Sequence, residues 1–292
     1  MAGNHQLAID QQKCRAPTAR EGLLSQRPDT TGKTMSTIHP TAIIDKNAII
    51  GDNVSIGPYT VIEGDVQISD GCEIGPHVNI AGGARIGSRC RIYKGASLAT
   101  EPQDLKFAGE KTLLIIGDDT TVREFCTLNR GTNAHGKTEI GKNCFIMAYC
   151  HVAHDCIVGN HVIISNSLAM AGHVSVGSHV TIGGVVAIHQ FTRVGDYSFI
   201  GATAYLTMDV VPFALCAGNP AKLMGINKVG LERRGFESER REKLKKVYKM
   251  LFRENLSLDD SIKSVRDAFP GDADVELILS FMRDSKRGFV RM

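Results

Sequence analysis

Six of the chain's ten histidines fall between positions 151 and 189: His151, His154, His161, His173, His179 and His189. His154 stands in the run HVAHDC, with Asp155 directly after it. An imidazole beside a carboxylate suits general-base chemistry, because the carboxylate favours the imidazolium that forms when a proton is taken. Successive strand residues point to opposite faces, however, so closeness in sequence does not make a site. The chemistry depends on how the backbone arranges these residues. His161 and His179 read as exposed polar residues at turns.

That arrangement follows from a period of six. Ten hexads run without a slip from Ile38 to Ser97 (IHPTAI, IDKNAI, IGDNVS and onward), two resume at Ile116, and eleven more run from Ile140 to Tyr205. An aliphatic residue opens each hexad, and a small or β-branched one holds its fifth place, as in Val54, Thr60, Val66, Val174 and Val180. Two inward positions per hexad are what a short strand turning a corner needs. Cys72, Cys90, Cys126, Cys144, Cys150 and Cys156 hold the same fifth place, so they read as small buried hydrophobes rather than ligands. Three hexads close a triangular coil of 18 residues, which sets residues 18 apart about 4.8 Å from each other. Asp155 then lies level with His173, and His154 with Gly172 and Gln190. The predicted fold is mainly β, a parallel β-helix, and the period leaves its hand open.

The period breaks at 99–115 and 129–139, where extra residues must loop out, and such loops are usual places for binding. After Tyr205 a stretch with Pro212, Gly218, Pro220 and Gly225 reads as an irregular connector. From Val229 the spacing turns helical, with Leu244, Val247, Tyr248 and Leu251 on one face and Ser257 and Asp272 as N-caps of further helices. The expected organisation is a disordered leader or trimmed targeting segment at 1–34, a β-helix at 35–228 and an α-helical C-terminal domain at 229–292.

Composition narrows the function. Tryptophan is absent and aromatics make up 6%, against 30 glycines, which suits short repeated strands. A net charge of +3 provides no concentrated basic face for nucleic acid. No uncharged apolar run is long enough to span a bilayer, so no stable membrane insertion is expected. The eight cysteines include no C-x-x-C pair and six of them are core fillers, which points to a reducing compartment.

The segments QDLKFAGE, HVAHDC, AGHVSVG, AIHQF and GLERRGF together resemble the UDP-N-acetylglucosamine O-acyltransferases that begin lipid A synthesis, and the likeness extends from Ile38 to the C-terminus. The resemblance implies a left-handed helix and a homotrimer with sites between subunits. It further implies transfer of a 3-hydroxyacyl group from acyl carrier protein to the 3-hydroxyl of UDP-N-acetylglucosamine, with no cofactor and no metal beyond the carrier thioester. In that reading His154 is the base, Asp155 orients it, and the Gly172 N–H faces the thioester oxygen. Asp104, Lys106, His151, His173, His189 and Gln190 match residues that position sugar nucleotide and acyl chain. Asn227, Arg233 and Arg234 match the segment near the nucleotide phosphates and the carrier. The stretch from Lys228 to Asn255, with ten Lys or Arg against five Glu, would face an acidic carrier.

Two positions depart from the family pattern. Ala202 replaces a glycine associated with the floor of the acyl groove, and Val229 replaces an acidic residue near the nucleotide segment. If the leader is organellar the protein is expected to be mitochondrial, and otherwise in the bacterial cytoplasm. Three other functions remain open at this point. One is N-acylation of a UDP-3-amino sugar. The second is a zinc-dependent hydratase like the gamma-type carbonic anhydrases, using His151, His154 and His173. The third is a structural trimeric scaffold that has no need of His154.

Overall fold

A computed structural model describes residues 36–252 and 257–291, so expectations for 1–34 lie outside the described residues. Within that range the chain winds as a left-handed parallel β-helix with three faces. The first face has 11 strands, beginning at Thr37–Ile38; the second has 9, beginning at Ile43–Ile44; the third has 8, beginning at Ile49–Ile50. Parallel pairing between coils keeps the 18-residue register, for example His151↔Ala169 and Ala169↔Ala187. The chain turns a corner between each pair of faces. The first corner joins first face to second, the second corner joins second to third, and the third corner returns to the first.

Corner geometry explains the sequence pattern. The fourth residue of each hexad from Asn143 to Thr203 sits at positive φ, including Asp155 (φ 60), His173 (φ 61), His179 (φ 63) and Phe191 (φ 63). Such a conformation costs an L-residue about 1–2 kcal/mol. Part of the compensation is that the corner N–H is satisfied by the coil before it: His173 N donates to His154 O at 3.1 Å and Phe191 N to Gly172 O at 3.2 Å. The rest is burial, because the first and fifth residues fill a continuous core, as with Val158, Val176 and Val194, or Cys156 and Val174.

All six fifth-place cysteines are buried free thiols, as their position implies. They also make a contact that the sequence did not suggest. Cys72 donates to Gly87 O at 3.0 Å and Cys156 to Ala171 O at 3.2 Å, as Thr60 does to Gly75 O at 2.7 Å. A small donor in this place satisfies the carbonyl of the next coil's turn. Burial pushes the Cys156 thiol up to about 12, so it is no nucleophile.

The loops are shorter than the interruptions in the period. Strands Ser97–Thr100 and Leu113–Ile116 extend into the first, leaving a loop of 101–112, and Thr127–Asn129 and Lys137–Ile140 reduce the second to 130–136. The flanking residues continue the ladder, Leu113 pairing with Lys137 and Leu114 with both Ala84 and Thr138. The connector is also more regular than expected. Ala214–Ala217 joins the first face in parallel, and Lys222–Ile226 folds back antiparallel on it.

Four helices follow: α1 (Lys228–Arg233), α2 (Ser238–Phe252), α3 (Leu258–Ala268) and α4 (Ala273–Arg283). Leu244, Val247, Tyr248 and Leu251 form the buried face of α2, and Tyr248 Oη donates to Pro212 O at the end of the β-helix. Ser257 and Asp272 cap α3 and α4.

Candidate active site

Both loops leave the second face and return on the third, so both emerge at the second corner. His154, Asp155, Gly172, His173, His189 and Gln190 belong to the same corner, stacked coil on coil, and His151 projects from the second face just before it. Position four of these hexads gives a column Asp155, His173, Phe191, in which the rings of His173 and Phe191 stack at 4.5 Å.

Asp155 is the centre of the polar network. Its side chain is 0% exposed, and His154 Nδ1 lies 2.8 Å from its Oδ2. A carboxylate only accepts, so Nδ1 carries the hydrogen and Nε2 presents a lone pair. Thr132 of the second loop donates its N–H to Oδ1 at 2.9 Å and its hydroxyl to Oδ2 at 2.6 Å. The Asp155 N–H donates to Thr138 Oγ1 at 2.8 Å, and His135 Nδ1 lies 3.3 Å from the Asp155 carbonyl. Burial alone would raise the Asp155 carboxyl, but the Thr132 and His154 donors outweigh it and hold the group below its ordinary value.

The His154 side chain is only 12% exposed, its ring packed against Gly172 of the next coil. His173 stands perpendicular to it at 5.1 Å, with His173 Nε2 3.8 Å from Asp155 Oδ2, and His135 sits edge-on to His173 at 5.5 Å. Burial lowers the His173 imidazole from its ordinary range, with Asp155 opposing. Burial likewise lowers His151, aided by His154, while Thr127 Oγ1 contacts His151 Nδ1 at 2.7 Å. Gly172 is required where it stands, since a Cβ there would lie 2.7 Å from His154 Cε1. Among the described residues its N–H has no acceptor. His189 Nδ1 lies 3.1 Å from the Gln190 carbonyl, and the Gln190 side chain is exposed.

The first loop brings Asp104 within electrostatic reach of His173, and Asp104 Oδ1 accepts the Lys106 N–H at 3.0 Å while Lys106 itself is exposed. The two loops are fastened together. Arg130 covers the Phe107 ring at 5.2 Å and donates to Ala99 O at 3.2 Å, and Asn129 Nδ2 reaches Thr100 Oγ1 at 2.9 Å and Glu101 O at 3.0 Å.

The remaining predicted residues lie elsewhere on the chain. Asn227, Arg233 and Arg234 line a cleft of about 670 Å³ beside the first face, with Ile163, Thr181 and Phe199 as its floor. Arg234 Nη1 donates to His179 Nδ1 at 2.8 Å on the third corner, where His161 and His179 stack at 4.8 Å. Both histidines are therefore members of a ring ladder rather than isolated surface groups. The Asn227 amide is committed within the chain, capping α1 through Gly230 N at 3.1 Å and donating to Tyr197 O at 2.9 Å. Ala202 is exposed on the first corner. In one chain, then, the base candidate and the arginines occupy different edges.

Thr132, Thr138 and His135 are the site residues that sequence reasoning missed. Thr132 and His135 lie in the second loop, off the hexad register, so the 18-residue rule says nothing of their neighbours. Thr138 falls at the end of the same interruption. The zinc reading grouped His151, His154 and His173. The structure instead gathers His154, Asp155 and His173, with donor atoms within 4.8 Å of one another. Both Asp155 oxygens are already accepting hydrogen bonds within the chain.

The left-handed β-helix is built of six-residue repeats, and residues 137–167 match the family model for bacterial transferase hexapeptide repeats. Residues 209–290 match domain 2 of UDP N-acetylglucosamine O-acyltransferase. Relatives named acyl-[acyl-carrier-protein]--UDP-N-acetylglucosamine O-acyltransferase include one from Myxococcus xanthus, 48% identical over 88% of this chain and 100% of its own length. Another, from Chlorobium phaeobacteroides, is 58% identical over 87% of this chain and 97% of its own. The solved UDP-N-acetylglucosamine acyltransferase of Bacteroides fragilis superposes with a TM-score of 0.85 at 39% identity, covering 87% of this chain and 99% of that one. That of Arabidopsis gives 0.78 at 30% identity, covering 87% and 100%. The chain belongs to the UDP-N-acetylglucosamine O-acyltransferase family and is an acyltransferase.

Proposed function

We propose that the chain transfers a 3-hydroxyacyl group from acyl carrier protein to the 3-hydroxyl of UDP-N-acetylglucosamine, the first step of lipid A biosynthesis, with His154 as general base. The observation that carries the residue assignment is the pair formed by Asp155 Oδ2 and His154 Nδ1 at 2.8 Å, which directs Nε2 outward as acceptor. Nε2 takes the proton of the sugar hydroxyl as its oxygen attacks the thioester carbon. The oxygen of the tetrahedral intermediate faces the free N–H of Gly172. Collapse breaks the carbon–sulfur bond, and the imidazolium returns its proton to the departing carrier thiolate. Asp155 stays ionised throughout and stabilises that imidazolium.

His173, His151, Gln190, His189, Asp104 and Lys106 surround the same corner and position sugar and acyl chain. The exposed Ala202 methyl bears on acyl length. Arg233 and Arg234 take the nucleotide phosphates. Because they stand on a different edge from His154, one site needs two chains, and a closed homotrimer provides one such pairing at each interface. A basic recess of about 460 Å³ between Lys222–Ile226 and α2, lined by Lys228, Arg241, Lys245, Lys246 and Lys249, suits an acidic carrier. Among the described residues no helix is long and apolar enough to cross a membrane.

The test is transfer from a panel of 3-hydroxyacyl carrier thioesters to UDP-N-acetylglucosamine and to its 3-amino analogue, with wild type and His154→Ala. The expected result is acylation of the 3-hydroxyl, reduced by about 10²- to 10⁴-fold in the variant. Near-normal turnover in His154→Ala would refute the base assignment, and transfer to the amino sugar alone would replace O- by N-acylation.

A further inference from the structure

We propose that Thr132, in the second loop, is a positioning residue of the transfer reaction: it holds the Asp155 carboxylate in the orientation that sets the His154 ring. Thr132 is 8% exposed and gives Asp155 two donors, one to each oxygen, at 2.9 and 2.6 Å. Its hydroxyl accepts the Ala134 N–H at 3.2 Å, which turns the hydroxyl hydrogen towards the carboxylate. The loop that carries it is anchored on both sides. Gly136 N donates to Thr132 O at 2.7 Å, and Thr112 Oγ1 donates to Gly131 O at 2.5 Å.

Without the Thr132 hydroxyl, Asp155 Oδ2 would be bonded only to His154 while Oδ1 keeps the Thr132 N–H. A buried carboxylate in that state rotates or takes up a proton, and either change releases Nδ1 of His154. Asn129, through Glu101 O, and Arg130, over the Phe107 ring, tie the same segment to the first loop, which holds Asp104 and Lys106. Thr132 thereby fixes the base relative to the loop that approaches the sugar.

This inference rests on His154 being the base, so His154→Ala is measured beside the Thr132 variants; activity in His154→Ala sinks that reading whatever Thr132 does. Thr132→Val and Thr132→Ala are expected to lower kcat by about 10- to 100-fold. KM for UDP-N-acetylglucosamine should stay within about twofold. Thr132→Ser, which keeps the hydroxyl, should recover most of the rate. In an Asp155→Asn background, Thr132→Ala should add less than about twofold, since its effect passes through the carboxylate. Thr132→Ala adds no methyl against Asp155 and serves if Thr132→Val does not fold. Unchanged kcat in Thr132→Ala, a Thr132→Ser variant as slow as Thr132→Ala, or full additivity with Asp155→Asn would each overturn the proposal.

Discussion

Burial holds the imidazoles of His151 and His173 below the ordinary value of 6.5, and His179 is lowered by burial with help from Arg234. Each therefore binds its proton more readily in the unfolded chain. Between the lowered folded value and 6.5 the unfolded state holds more protons, so stability rises with pH through that window and is level above it. Asp155, held low, acts in the same direction at lower pH: its contribution is present above the ordinary carboxylate range and is lost as pH falls through its folded value. The melting temperature should be flat from about pH 8 to 7 and should drop as pH falls through about 6.5 towards 5. Calorimetry at fixed ionic strength measures this directly, and a melting temperature that rises on acidification would contradict the burial of these rings.

At the scale of elements, the coils depend on one another through the core, while the C-terminal helices depend on local devices. Asp272 accepts the N–H groups of Asp274 and Val275 at the start of α4 and also binds Lys243 of α2. Asp272→Ala should cost about 1 kcal/mol or somewhat more. The loss should appear in urea unfolding followed by helical circular dichroism, and an unchanged midpoint would mean that the cap is dispensable. The β-helix was legible because its rule is simple: six residues per face, with places one and five inward, applies from Val54 to Leu206 almost without exception. The level positions of Asp155 and His173, and of His154 and Gly172, followed from the same rule. Thr132 was not legible, because the loop that delivers it obeys no period and its contact with Asp155, 23 residues away, begins off the register. The enclosure of His154 could not be read from the period, since the rule gives height along the helix but not how a ring folds against the next coil. The hairpin at Ala214–Ala217 and Lys222–Ile226 was hidden by Gly218, Pro220 and Gly225, which mark a hairpin turn as readily as an irregular connector.

On the scale of the whole molecule, corner assignment can be read from the hexad count modulo three. It puts His154 and His179 on different edges, and only the described helices reveal that Arg234 joins His179. This separation has a consequence for mixtures. If each working centre takes its imidazole from one chain and its guanidinium from the next, two crippled proteins complement one another. Chains carrying His154→Ala and chains carrying Arg234→Ala, each severely impaired alone, should regain activity when denatured together in equal amounts and refolded. Random assembly would leave about one centre in four with both groups intact, and hence about a quarter of wild-type turnover. Absence of any recovery would mean that both groups serve the same chain. A cell expressing the two defective alleles together would, by the same reasoning, be healthier than one expressing either alone.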